Sequence, residues 1–318
     1  MARARIDKRK EIGKRIRAYR MGAGLSPEET AERLGISRAA LYKYERTGVV
    51  KLSTIERFAE MVGVSASSLL GASVEYFDNP ISFFERKRQL ELGAVQVFSY
   101  VEPISFLLVS KDYLANLRQM IVEGLPRNFV DRKQTLSQVD TIIDILAERH
   151  SNADQTRMNV TSVISAVQVE RFLQTGMIGS YDLQPDVREQ RRLLALAEVE
   201  RLAALAEEEP FGVQIGIAEA VLPHQTFELL RGRSETWVAV SPFRLGEFPN
   251  INLGVAYITS APETVALYEK LASKMWARAS RGVDAARLLR SLISRTQGSD
   301  MRRVASTAAV KGEVLKRV

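Results

Sequence analysis

No cysteine occurs anywhere in the 318 residues, and histidine occurs only at His150 and His224. The first absence excludes disulfide scaffolds, iron–sulfur clusters, thiol nucleophiles and cysteine-type zinc sites. Two histidines 74 positions apart argue against a histidine-built metal centre. Long apolar runs are missing too. The most apolar region, Gly93 to Ser110, is interrupted by Glu102-Pro103 and is too short to span a bilayer. The basic start, Met1 to Lys10, is not followed by an apolar stretch of signal-peptide length, because Ile12 to Ala23 is broken by Lys14, Arg15, Arg17 and Arg20. A cytoplasmic chain with no membrane partner is expected. There is also no P-loop, zinc-ligand spacing, nucleophile elbow or paired-carboxylate motif, so neither an enzyme nor a cofactor is expected.

What is present is ordinary in bulk and uneven in place. The apolar fraction of 46% and charged fraction of 26% suit a folded globular chain. A length of 318 residues favours two domains over one core. The net charge is +7, and residues 1–71, with 15 Lys/Arg against 8 Asp/Glu, carry all of it. Residues 72–318 balance at 30 against 30. Such asymmetry joins a part suited to a polyanion to a part that is not.

Residues 12–70 read as short helices separated by glycine stops. Gly22-Ala23-Gly24 ends the first. Ser26-Pro27-Glu28-Glu29 opens the second, with Ser26 as N-cap, Pro27 as first helical residue and Glu29 completing a capping box. Gly35 closes it after two turns, Ser37 caps a third helix to about Arg46, and a fourth covers about 53–62. Beyond residue 72, Asn79-Pro80 starts a helix to about Leu92, with Glu85-Arg86-Lys87-Arg88 mostly on its outer side. β-like runs follow at 94–101, 104–109, 160–164, 212–218, 236–241 and 253–259. Helical patterns lie at 110–123, 132–149, 167–174, 186–208, 262–279 and 282–294. Alternation of this kind favours one mixed α/β domain. Phe98, Tyr100, Trp237, Phe243 and Phe248 could wall a pocket there, or simply pack the core. His150 is expected as a solvated residue near a helix C-terminus, and the tail after Arg295 as loose or only partly helical.

The spacing over 26–46 is that of a helix-turn-helix: the small Ala31 at the crossing, Gly35 at the turn, and Leu34, Ile36, Leu41 and Tyr44 as the wedge of core. The second helix then shows Arg38, Ala39, Tyr42, Lys43 and Arg46 outward, a basic face of the size the major groove admits. Residues 12–71 resemble the phage-repressor/Cro-like (XRE) family of DNA-binding domains. The likeness rests on Arg20, Leu25-Ser26, Ala31 through Ser37, Glu45, and Val62-Gly63-Val64-Ser65 leading to Leu69-Leu70. It implies an all-α five-helix lambda-repressor-like domain followed here by a mixed α/β C-terminal domain, with an Arg20–Glu45 ion pair tying the first helix to the third. It places Arg38, Ala39 and Lys43 at base-reading positions, with Ser37, Tyr42 and Arg46 beside them.

Two departures stand out. The family commonly has Gln where this chain has Pro27, and proline offers neither side-chain nor backbone donor to a phosphate. Lys8, Arg9, Lys10 and Lys14 are the natural replacements. The loop Thr47 to Leu52 also lacks the usual proline. The expected organisation is a basic arm at 1–11, the helix-turn-helix domain at 12–71, a linker helix at 72–93, a sensor and oligomerisation domain at 94–296, and a tail at 297–318. The partners implied are double-stranded DNA, a second copy of the chain in a homodimer on a pseudo-palindromic operator, and a small-molecule or protein effector. An antitoxin-like protein that neutralises a partner and an enzyme tethered to DNA are the alternatives.

Overall fold

A computed structural model describes residues 2–48, 51–70, 74–125, 132–156, 158–220, 222–251 and 253–315, without the side chains of 2–8, 154, 156 and 299–315. The N-terminal part is helical: α1 (Ala2–Gly22), α2 (Pro27–Leu34), α3 (Arg38–Thr47), α4 (Leu52–Val62) and α5 (Ala66–Leu70). Local chemistry explains the boundaries. The Ser26 Oγ accepts from the Glu29 N–H at 3.1 Å, and the Ser26 N–H donates to Glu29 Oε2 at 2.8 Å, a closed capping box. Gly35 then ends α2 in the left-handed conformation, at φ 63°. The helix crossings need small residues. A Cβ on Gly13 would stand 2.4 Å from the Tyr44 carbonyl oxygen, and one on Gly48 would stand 1.9 Å from that of Arg9. Only glycine lets α1 lie this close along the end of α3.

The remainder is β1 (Val74–Phe77), α6 (Pro80–Glu91), β2 (Ala94–Tyr100), a 3-10 turn at Phe106–Leu108, α7 (Tyr113–Glu123), α8 (Arg132–Thr156), β3 (Asn159–Ser165), α9 (Ala166–Thr175), α10 (Pro185–Glu208), β4 (Val213–Ala218), β5 (Phe227–Gly232), β6 (Thr236–Val240), β7 (Ala256–Thr259), α11 (Pro262–Ala277), β8 (Ser280–Arg281) and α12 (Gly282–Leu315). Among the described residues these strands form one mixed sheet in the order β1-β7-β6-β5-β2-β3-β4-β8, parallel across β2-β3 and β3-β4 and otherwise antiparallel. Side chains alternate between two layers. Phe98, Phe227, Leu229 and Val238 face α11, whereas Val97, Leu230, Ala239 and Ile215 face the other helices. A helical N-terminal domain followed by a mixed α/β region is the architecture expected.

Several local expectations are corrected. The basic stretch 1–11 is no separate arm, because α1 runs from Ala2; its Ala, Arg, Lys and Glu residues are good helix formers, with no Gly or Pro to delay the start. The run at 104–109 is not a strand but contains the 3-10 turn. Strands β1, β5 and β8 carry no clear alternation and are not legible in the sequence. His150 is not a solvated helix end: it lies within α8, half-buried, with Nε2 at 3.0 Å from the Val109 carbonyl oxygen. Past Arg295 the chain stays helical to Leu315.

The largest correction concerns 72–93. Instead of a linker, β1 joins the sheet edge against β7, and α6 is buried on every side. Glu85, Arg86 and Lys87, expected outward, are 1%, 0% and 4% exposed. They are tolerable there because each meets an opposite charge. Arg86 holds Glu75 through Nε at 2.8 Å and reaches Glu11 of α1 at 2.8 Å, while Arg15 of α1 reaches the same Glu75 at 2.7 Å. Arg15 and Arg86 both lie over the Trp237 ring. Arg149 of α8 holds Glu91 through two 2.8 Å bonds, and Lys87 pairs with Glu228. Asn79 caps α6 and donates to the Gly22 carbonyl at the end of α1. Tyr19 of α1 stacks on Phe77 and donates to the Tyr76 carbonyl. The helical domain and the sheet therefore share one continuous core.

Gly13→Ala is expected to force α1 off α3 and to cost about 1–3 kcal/mol. It should read out as a lower urea midpoint at unchanged slope; an unchanged midpoint would show that the contact relaxes freely. A second expectation concerns acid. Burial alone would raise the Glu11 carboxyl, but Arg86 and Lys14 beside it hold it at about 2, below its ordinary 4.5. Its contribution to the α1–α6 contact is thus fully present above about pH 4.5 and is lost as pH falls through about 2. Acid titration of Trp237 emission should show a transition in that window that Glu11→Gln removes, and a transition surviving in the variant would assign it elsewhere.

Candidate nucleic-acid interface

The site begins with an ion pair that is not itself exposed. Arg20 of α1 donates through Nε to Glu45 Oε1 of α3 at 2.6 Å and through Nη1 to the Leu25 carbonyl at 2.9 Å. Both side chains are under a tenth exposed. Removing one partner from a pair this buried costs about 3–5 kcal/mol, because the other charge is left unpaired. The pair fixes the rotation of α3, with Leu41 buried against the core and Gly13 setting the distance.

With that rotation set, Ser37, Arg38, Ala39, Tyr42, Lys43 and Arg46 all lie on the exposed side of α3. Ser37 also caps the helix, its Oγ accepting from the Ala40 N–H at 3.1 Å. Its hydroxyl proton stays free for an outside acceptor. Arg38 is not free-standing. Its Nη2 donates to the Tyr42 hydroxyl at 3.1 Å, its guanidinium lies over the Tyr42 ring at 5.4 Å, and its Nη1 sits 2.6 Å from Glu28 Oε1 on α2. The Tyr42 hydrogen bond first, and then the Glu28 carboxylate, hold its proton more firmly than usual. Tyr42 thus steers Arg38, and Glu28 neutralises it in the unbound protein.

Glu28 escapes sequence reasoning, since only the crossing of α2 and α3 brings positions 28 and 38 together. Its place beside the missing donor of Pro27 is notable. The mouth of α2 carries a carboxylate where a phosphate anchor would otherwise sit.

The basic residues of α1 divide. Arg9 and Lys10 are exposed, and the side chain of Lys8 lies outside the described residues. Lys14 is bonded to Glu11 at 2.7 Å and lines a groove of about 680 Å3 with Gln89, Leu92, Arg233 and Trp237, on the side of α1 that meets the sheet domain. Arg15 and Arg17 pair with Glu75 and Glu85. Of the basic residues of α1, Arg15 and Arg17 therefore tie it to the sheet domain, while Arg9 and Lys10 stay exposed. In the loop 47–52, Val49 and Val50 lie outside the described residues. Among the described residues, no group of three or more His, Asp or Glu could hold a metal ion, and no helix is long and apolar enough to cross a membrane.

Residues 11–69 match a family model described as a helix-turn-helix domain. The chain thus carries an XRE-type helix-turn-helix domain, followed by a region built on a mixed sheet, and that domain points to a DNA-binding regulator. No curated protein matches the chain.

Glu28→Gln is expected to raise affinity for DNA of any sequence, most at low salt, by removing a charge that both repels phosphates and competes for Arg38. Fluorescence anisotropy on an unrelated duplex measures it. Weaker binding in the variant would mean that Glu28 itself accepts from a base.

Proposed function

We propose that the protein is a sequence-specific, DNA-binding transcriptional regulator, not an enzyme, acting in the cytoplasm as a dimer on a pseudo-palindromic operator. One observation carries this: α3 presents Arg38, Ala39, Tyr42, Lys43 and Arg46 on a single exposed face, locked by the buried Arg20–Glu45 pair, in the part of the chain that holds all the net positive charge. Arg38 is suited to paired acceptors such as guanine O6 and N7, and Lys43 to a base edge or phosphate. Arg46, Arg9, Lys10 and the hydroxyl of Ser37 supply backbone contacts, which position the domain without reading sequence.

Dimerisation follows from information content. One small helix-turn-helix reads only about four to six base pairs, so two are needed on half-sites about one helical turn apart. The sheet domain carries oligomerisation and responds to an effector, whose effect on DNA requires different affinities for the competent and incompetent arrangements.

Genome-wide crosslinking of bound DNA in the native host tests the proposal, with wild type beside Arg38→Ala/Lys43→Ala. Sharp peaks sharing a two-fold-related motif and lost in the variant are expected. In vitro, Arg38→Ala should lose about 1–3 kcal/mol of discrimination at one or two base pairs while nonspecific binding persists. An equal fall on all sequences would show that Arg38 binds phosphate and reads nothing.

A further inference from the structure

We infer that a cavity at the carboxyl end of β2 binds a compact carboxylate of a few heavy atoms, and that α6 passes its occupancy to the DNA-binding domain. This rests on the effector reading above and gives it a site and a chemistry. The cavity, of about 50 Å3, lies among α6, the end of β2, the start of β5 and the end of β6; its charged lining is Lys87, Arg149, Arg244, Glu102 and Glu228. Ligands of open α/β sheets commonly sit beyond the carboxyl ends of strands, where strand order turns. Strand β2 is such a place: β3 and β4 continue to one side, β5, β6 and β7 to the other.

The chemistry follows from two guanidinium groups. Arg149 Nη1 and Arg244 Nε are both buried without a hydrogen-bond acceptor. Arg149 is 2% exposed, its other nitrogens are committed to Glu91, and Phe84 and Phe106, which line the same cavity, cover its faces. Buried donors are nearly always satisfied, so two orphans at one cavity call for an acceptor from outside the fold. Of the carboxylates nearby, Glu91 is engaged with Arg149, Glu228 with Lys87 and Glu247 through Oε1 with Arg244, while Glu102 accepts from the Tyr100 hydroxyl at 3.4 Å and Glu247 Oε2 is buried without a donor among the described residues. An anion meets these donors better than a neutral group, because charge-assisted bonds are stronger. Burial, and then Arg149, push the Lys87 ammonium well below its usual range, and an arriving anion would relieve that. The volume admits roughly three or four water-sized groups, which rules out nucleotides and sugars.

The path to DNA is short. Lys87 belongs to α6, and Arg149 is bonded to α6 through Glu91. The neighbouring Arg86 holds Glu11 of α1 and shares Glu75 with Arg15. A ligand favouring one placement of α6 therefore biases α1, and with it the presentation of α3.

The test uses the full chain without DNA. Formate and acetate are titrated against chloride at matched ionic strength, and against acetamide as the neutral isostere of acetate, with the thermal midpoint and Trp237 emission as readouts. A saturable response to formate or acetate and none to acetamide is expected. Ala239→Val, which fills the cavity without changing charge, and Arg149→Lys should each weaken it about tenfold or more. No response beyond chloride, meaning a cavity that holds only water, overturns the site, as does a response unchanged in both variants. The acetate–acetamide contrast needs no variant, so misfolding of either leaves the site refutable. Duplex affinity is then measured with and without saturating ligand. A shift is expected, and an unchanged value overturns the coupling to α1. Loss of all DNA binding would instead sink the regulator reading, while the titration stands by itself.

Discussion

The structure depends on neutralising the charges of α6. A helix carrying Glu85, Arg86, Lys87 and Glu91 can be buried only if every charge finds a partner, because desolvation of an unpaired ion costs several kcal/mol. Those partners come from all sides: Glu11 and Arg17 from α1, Glu75 from β1, Arg149 from α8 and Glu228 from β5. Such pairs contribute little net stability compared with apolar packing of the same volume. What they supply here is position. Each works only when its donor and acceptor elements are in register, so the network specifies how α1 lies against the sheet domain.

This changes how the helix-turn-helix domain relates to the rest of the chain. In a tethered design, the DNA-binding unit would move independently of the sheet domain. Here α1 is at once the first helix of the DNA-binding domain and a wall of the sheet domain, held by Tyr19, Asn79 and the Glu75 ion pairs. The orientation of α3 is then inherited from the sheet through two steps: α6 to α1, and α1 to α3 by Gly13 and the Arg20–Glu45 pair. Rigid inheritance of this kind lets a small change around α6 be felt at the recognition helix, because packed interfaces switch between arrangements instead of deforming continuously.

The recognition surface shows the same economy of charge. Arg38 is held between Tyr42 and Glu28, so it is preorganised and partly neutralised before DNA arrives. A salt bridge this exposed is weak, so Arg38 can give it up at little cost. The chain thus combines permanent buried pairs that set geometry with an exposed pair that can be given up.

The elements of the N-terminal domain were legible because they are set by local rules. Ser26 with Glu29, Pro27, Gly35 and Ser37 mark helix ends through bonds spanning three or four residues, and period 3.6 tells Leu34, Ile36 and Leu41 from the outward Arg38, Tyr42 and Lys43. Much of the sheet could be read from its β-like runs for the same reason. Strand β5 could not, since Phe-Glu-Leu-Leu is buried on both faces and shows no alternation. Nor could the fate of Glu85-Arg86-Lys87, because a charged helical stretch usually faces water, and its partners lie on three other elements, α1, β1 and β5. Hydrogen bonds across a few residues are encoded where they act. Pairings such as Arg86 with Glu11, or Glu28 with Arg38, exist only once the chain has closed, and tertiary structure alone decides them.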